Sequence, residues 1–142
     1  MPWIGLPKNP LNPFYHATPN FNRDGANWVD PGLGGFLKSA GFSEAIYAPE
    51  WGKHKVPTLR NVDQRPFPAF VKAFGHNGVF KSLEEVVAFY NTRDVAAWPP
   101  PEVATNVNTE ELGNLGLTPQ EEADLVAFMK TLTDGFAAAG RD

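Results

Sequence analysis

Few side chains in this sequence can do chemistry, and their types narrow the choices quickly. There is no cysteine, so the chain holds no disulfide, thiolate metal site, iron–sulfur cluster, cysteine nucleophile or C-x-x-C-H motif. The three histidines are His16, His54 and His76. His76 lies between Gly75 and Gly78 in a tight turn. An imidazole titrates near neutrality, so in such a turn it can relay protons or hydrogen-bond a ligand; a turn histidine bonded to the backbone is an equal alternative. His16 and His54 follow no metal-ligand spacing, and His54, between Lys53 and Lys55, reads as part of a solvated turn. Tyr90 shares one face with Leu83, Val86 and Val87 at the i, i+3, i+4, i+7 helical spacing, so its ring points inward. By that pattern alone it is a core tyrosine whose hydroxyl is satisfied locally. Asn22, Asp24 and Asn27 around Gly25 faintly suggest a calcium loop, but the rest of the EF-hand pattern is missing. No G-x-S-x-G, phosphate loop or H-E-x-x-H occurs.

The elements that must position these groups are short. Residues 1–29 contain prolines at 2, 7, 10, 13 and 19 and read as an extended lead-in anchored by Trp3, Phe14, Tyr15, Phe21 and Trp28. A short helix is expected from Asp30-Pro31, with Asp30 as cap and Pro31 at the first position, to about Gly41. Gly32, Gly34 and Gly35 weaken it and suit the close approach of another backbone or a flat ligand. Residues 43–80 read as irregular. Ser82 and Glu85 make an S-x-x-E capping box for a helix to about Asn91. A Pro- and Asn-rich loop, 92–117, follows and includes the stiff Trp98-Pro99-Pro100-Pro101 run. Thr118, Pro119 and Glu121 then open a last helix, with Leu125, Phe128, Met129 and Leu132 expected as its buried stripe and Gly135 as its end. The tail 137–142 is expected to fray. On this pattern Met129 is core, the pairs Glu84-Glu85 and Glu121-Glu122 serve helix starts, where the dipole favours carboxylates, and the four tryptophans mostly pack.

Bulk composition excludes several classes. A chain of 142 residues with 42% hydrophobic and 20% charged residues fits one globular domain, residues 1–142. Fourteen prolines, thirteen glycines and 13% aromatics imply short helices, long ordered connections and a core filled by rings. The net charge of -4 and pI near 5.3 argue against nucleic acid, which needs a basic footprint. Lysines and arginines are scattered, no apolar run can span a bilayer, and the first residues show no signal-peptide pattern.

Three segments, in order, carry a resemblance: Lys55-Val-Pro-Thr-Leu-Arg-Asn-Val62, Gly75-His-Asn-Gly-Val-Phe-Lys-Ser-Leu-Glu-Glu-Val-Val-Ala-Phe-Tyr-Asn91, and Leu115-Gly-Leu-Thr-Pro119 through Asp124-Leu-Val-Ala-Phe-Met-Lys-Thr-Leu-Thr133. With Asp30-Pro-Gly-Leu-Gly-Gly35 before them, residues 5–135 resemble the C-terminal haem domain of the di-haem cytochrome c peroxidase and MauG-like family. The resemblance implies an all-α, cytochrome c-like haem domain, here partial. In the family the domain begins with a C-x-x-C-H segment that binds haem c and supplies the proximal histidine, and this chain contains none. What remains resembles the distal side. The second axial ligand stands fourteen residues after the histidine of the H-x-G turn, which from His76 falls on Tyr90. Methionine there is similar to electron-relay haems; tyrosine looks like the MauG-type variant, and a phenolate ligates ferric iron well. By the same resemblance His76 is a distal-pocket group and Arg60 a partner of haem propionates, a loop-anchoring arginine being its alternative.

Two functions follow from different classes. In one, the chain is part of a periplasmic redox protein that reduces peroxide or oxidises a partner protein. Its haem c would then come from an N-terminal segment or a second polypeptide. In the other, favoured by the missing cysteines, it is a haem-free structural or interaction module. Non-covalent haem held by His76 or another histidine ranks third. The stretch between Asn61 and His76 is longer than in the simplest members, so the family's interdomain calcium contacts are not carried over.

Overall fold

The computed structural model describes residues 3–135. Four α-helices lie among them: α1 (Gly32–Ser39), α2 (Glu44–Tyr47), α3 (Leu83–Thr92) and α4 (Pro119–Thr131), with three short 3-10 turns at Pro13–His16, Gly25–Asn27 and Ala48–Glu50. The described residues form no strand, only isolated bridges such as Trp3 to Val107 and Pro7 to Pro101. The all-α expectation therefore holds at the level of secondary structure. The proposed fraying of 137–142 lies outside the described residues.

Both expected capping boxes are present. Ser82 accepts from the Glu85 amide while Glu85 reaches back, and Thr118 and Glu121 do the same for α4. Around α1 the details differ: Pro31 is itself the cap, and the Asp30 carboxylate accepts from the Gly32 amide at 2.9 Å. The glycines of α1 do permit another backbone to approach, because a Cβ on Gly34 would stand 2.5 Å from Trp51 Cα. That contact packs α1 against the turn after α2, a segment read from sequence as irregular.

The core has two parts joined through α3. Trp3, Leu6, Phe80, Phe89 and Val103 form one, with Tyr90 and Val86 packed against it; Leu83, Val87, Val126 and Met129 form the other. Helix α3 is thus buried on a wider arc than its sequence face, and Phe89 is fully buried. The stripe expected on α4 is corrected. Val126 and Met129 are buried, while Leu125 and Phe128 are 43% and 57% exposed. The reason is that α4 packs on α3 alone among the described helices, and one neighbour covers a narrow strip of a helix.

The N-terminal lead-in is held by specific bonds as well as by ring packing. Trp3 Nε1 donates to the Val103 carbonyl at 2.7 Å, and the amides of Glu102 and Asn108 donate to Leu6 and Trp3. Arg93 adds a knot at the end of α3, donating to the carbonyls of Ile4 and Asn108 and forking onto Asp94. These contacts draw residues 101–108 against the start of the chain, which decides what stands beside His76.

Candidate functional site

The lead-in, the Lys55–Val62 stretch, the Gly75-His76 turn and the inner face of α3 enclose a cleft of about 610 Å³. Its walls are mainly apolar, with Leu6, Phe74, Phe80, Val86 and Met129 among them, and Lys55, Arg60 and Lys72 supply positive charge. Ligand pockets typically run to about 300–1,000 Å³ with apolar walls and a few polar groups. Tyr90 and His76 both line it.

Tyr90 is carried on α3 one residue before Asn91, a buried amide that fixes the following loop. Asn91 donates to the Leu117 carbonyl and Glu122 and accepts from the Leu117 amide. The Tyr90 ring is half-buried against the first core cluster, and burial pushes its phenol above the ordinary value of 10. Among the described residues its hydroxyl has no hydrogen-bond partner, which differs from the locally satisfied core tyrosine that the pattern alone suggested.

His76 is fastened to Glu102, a residue that sequence reasoning missed. The Glu102 side chain is fully buried and its Oε2 stands 2.9 Å from His76 Nε2. It also accepts from the Tyr15 hydroxyl (2.9 Å), the Asp30 amide (3.2 Å) and the Asn77 amide group (3.0 Å). Burial pushes the Glu102 carboxyl up, but the hydrogen bonds from His76, Tyr15 and Asn77 outweigh it and leave the group below its usual value. Tyr15 is raised in turn, by burial first and then by its bond to that carboxylate. No local signal marks Glu102: it follows three prolines in a loop, 26 residues from its histidine.

His54 requires a correction. It is not in a solvated turn but stacks on His76, ring centroids 4.0 Å apart and planes 17° from parallel, with Trp3 against both rings. Its Nδ1 meets the Gly52 carbonyl at 2.9 Å, and its Nε2 lies 3.3 Å from Asp30 Oδ2. That second nitrogen is buried and misses the direction needed for a hydrogen bond, so the contact is electrostatic in kind. The Asp30 carboxylate raises the His54 imidazole above its ordinary value, and His54 lowers Asp30. The lysines flanking His54 suggested solvent; the turn that carries them folds back onto Trp3.

Arg60 borders the cleft, yet its guanidinium is mostly exposed and forks onto Asp134 at 2.9–3.3 Å. Asn61 donates to the same carboxylate, so this pair ties the Thr58–Val62 turn to the end of α4. His16 sits at the surface on the first 3-10 turn. The Asn22 side chain accepts from the Asp24 and Gly25 amides and donates to the carbonyls of Phe14 and Gly25, which closes its loop.

The described residues form an all-α, ring-packed fold with a tyrosine and a buried histidine–carboxylate pair on an apolar cleft. No family model matches the chain. It is 36% identical over 92% of its length to the methylamine utilization protein MauG of Paracoccus denitrificans. It is 31% identical over 92% of its length to the cytochrome-c peroxidase IdrP1 of Denitromonas iodatirespirans, and 34% over 58% to that of a Pseudomonas species. The chain belongs to the MauG and di-haem cytochrome c peroxidase-like family. It spans about a third of the length of the first two relatives.

Proposed function

We propose that this chain is the C-terminal, distal-ligand portion of a cytochrome c-type haem domain, working in a periplasmic peroxidase-like or MauG-like redox protein. The haem c would be carried by an N-terminal segment or a second polypeptide, and electrons would be exchanged with a redox partner protein. The observation that carries this reading is Tyr90, a phenol with no hydrogen-bond partner among the described residues on the wall of an apolar cleft. It stands at the spacing from His76 that the family gives to the axial ligand.

The residues present fit the distal side of a porphyrin and not its attachment. Aromatic and aliphatic walls suit the flat macrocycle, and Lys55, Arg60 and Lys72 suit its propionates. The chain has no cysteine for thioether bonds. When bound, haem would supply one-electron chemistry and reactivity toward peroxide. The chain's own part is to hold and shield. Tyr90 would be the metal ligand; in the haem-free chain burial favours its protonated phenol. His76, oriented by the buried Glu102, would hold or pass a proton beside the cleft. Arg60 would turn from Asp134 to a propionate, and because their ion pair is exposed the exchange costs little. Leu6, Phe74 and Phe80 exclude water.

One observation favours a second reading, a haem-free interaction module: the absence of cysteine. The ultraviolet–visible spectrum before and after adding haemin tests whether this chain by itself holds haem. A Soret band that shifts or is lost in Tyr90→Phe supports the axial assignment. A spectrum without a Soret band under either condition means that this chain alone holds no haem, either as a distal half awaiting its haem-bearing partner or as a haem-free module.

A further inference from the structure

Beside the cleft, Asp30, His54 and His76 each place one potential donor atom within 4.8 Å of the others. Two imidazoles and a carboxylate are a donor set suited to zinc-class divalent ions, not to calcium or magnesium. With metal–nitrogen and metal–oxygen bonds near 2.0–2.2 Å, adjacent donors around a tetrahedral ion stand about 3.3 Å apart. His54 Nε2 and Asp30 Oδ2 already stand at 3.3 Å.

The surrounding bonds choose which ring nitrogens face outward. The Gly52 carbonyl can only accept, so His54 Nδ1 carries a proton, and Nε2, which faces the Asp30 carboxylate, is the nitrogen on which a metal ion would take the place of a second proton. The buried Glu102 carboxylate takes the N–H of His76 Nε2, so the lone pair of His76 is on Nδ1. A carbonyl or carboxylate behind a histidine in this way is the usual support for a metal-binding imidazole. His54 Nε2 is also a buried nitrogen without a hydrogen bond, an arrangement that costs stability unless a cation or proton occupies it. The ring stack is the part that must move. With planes 17° apart and 4.0 Å between centroids the rings lie face to face, so they must tilt about their hydrogen bonds to Glu102 and Gly52 for both to reach one ion.

We propose that Asp30 Oδ2, His54 Nε2 and His76 Nδ1 form a binding site for one divalent transition ion of the zinc class, with a fourth position open to water. Glu102 and the Gly52 carbonyl orient the two rings. The site goes beyond the haem reading and does not rest on it: Tyr90 is no part of the ligand set.

The test is titration of the chelator-stripped full chain with cobalt(II), followed by its visible ligand-field absorption, and with zinc(II) by calorimetry. The expected result is one ion per chain, with affinity reduced about tenfold or more in His54→Ala and in Asp30→Asn, and by a similar factor in Glu102→Gln. Circular dichroism identifies variants that remain folded, and His54→Gln replaces any that do not. His16→Ala, at an exposed position on the first 3-10 turn, should bind as the parent does. Absence of stoichiometric binding, or binding unchanged in folded His54 variants, overturns the proposal. Because the readout uses no haem, a chain that fails to bind haemin can still pass this test.

Discussion

Removal of the Glu102 carboxylate should be among the most destabilising single changes in this chain. The side chain is fully buried and accepts from Tyr15, the Asp30 amide, His76 and Asn77 at 2.9, 3.2, 2.9 and 3.0 Å. In Glu102→Ala all four donors lose that acceptor, and among the described residues only the Asn77 side chain keeps another, the Pro7 carbonyl. Each bond to a charged group contributes about 1.5–3 kcal/mol, but such values are not additive within one network. Breaking a buried ionic contact by deleting one partner costs about 3–5 kcal/mol, and that is the loss we expect. At roughly 3 °C per kcal/mol for a domain of this size, Tm should fall by about 10–15 °C. A total stability of about 5–15 kcal/mol leaves such a variant near the edge of folding.

Thermal melts by far-ultraviolet circular dichroism, in chelator-containing buffer, measure the effect. Glu110→Ala, at an exposed position, is the control. Glu102→Gln keeps the shape but sets an amide donor against the Asn77 amide, so it should fall between the two. The pH dependence has a definite sign. The Glu102 carboxyl is held below its ordinary 4.5, so its contribution is complete above that pH and is lost as pH falls through the folded value. The gap between parent and Glu102→Gln should therefore narrow on acidification below pH 4.5. A Glu102→Ala protein melting within about 2 °C of the parent would refute the reasoning, since the predicted shift is several times larger.

Two further outcomes test the packing. Gly34→Ala should destabilise by about 1–3 kcal/mol or more, because the added methyl meets the Trp51 backbone, which has no rotamer to move aside; the same melts report it. Tyr90→Phe should leave the haem-free chain within about 0.5 kcal/mol of the parent, since the ring is kept and its hydroxyl makes no hydrogen bond among the described residues. A large loss there would mean that the hydroxyl has a structural partner.

What the sequence determined by itself was local and periodic. The two capping boxes, at Ser82–Glu85 and Thr118–Glu121, were legible because helix starts are governed by residues within one turn. The family was legible for a related reason, since its signature strings are contiguous. The inward face of Tyr90 followed from spacing on α3, although the full burial of Phe89 on the same helix did not. Tertiary structure alone decided the rest. The exposure of Leu125 and Phe128 depends on how many neighbours α4 has, which its own pattern does not state. Arg60 meets Asp134, Tyr15 meets Glu102 and His54 meets His76 across separations from 22 to 87 residues. In a chain with so many prolines such meetings are set by loops. A loop follows no period that could announce its contacts; its course here is settled by Trp3, Asn77 and Glu102, which bond partners far away in sequence.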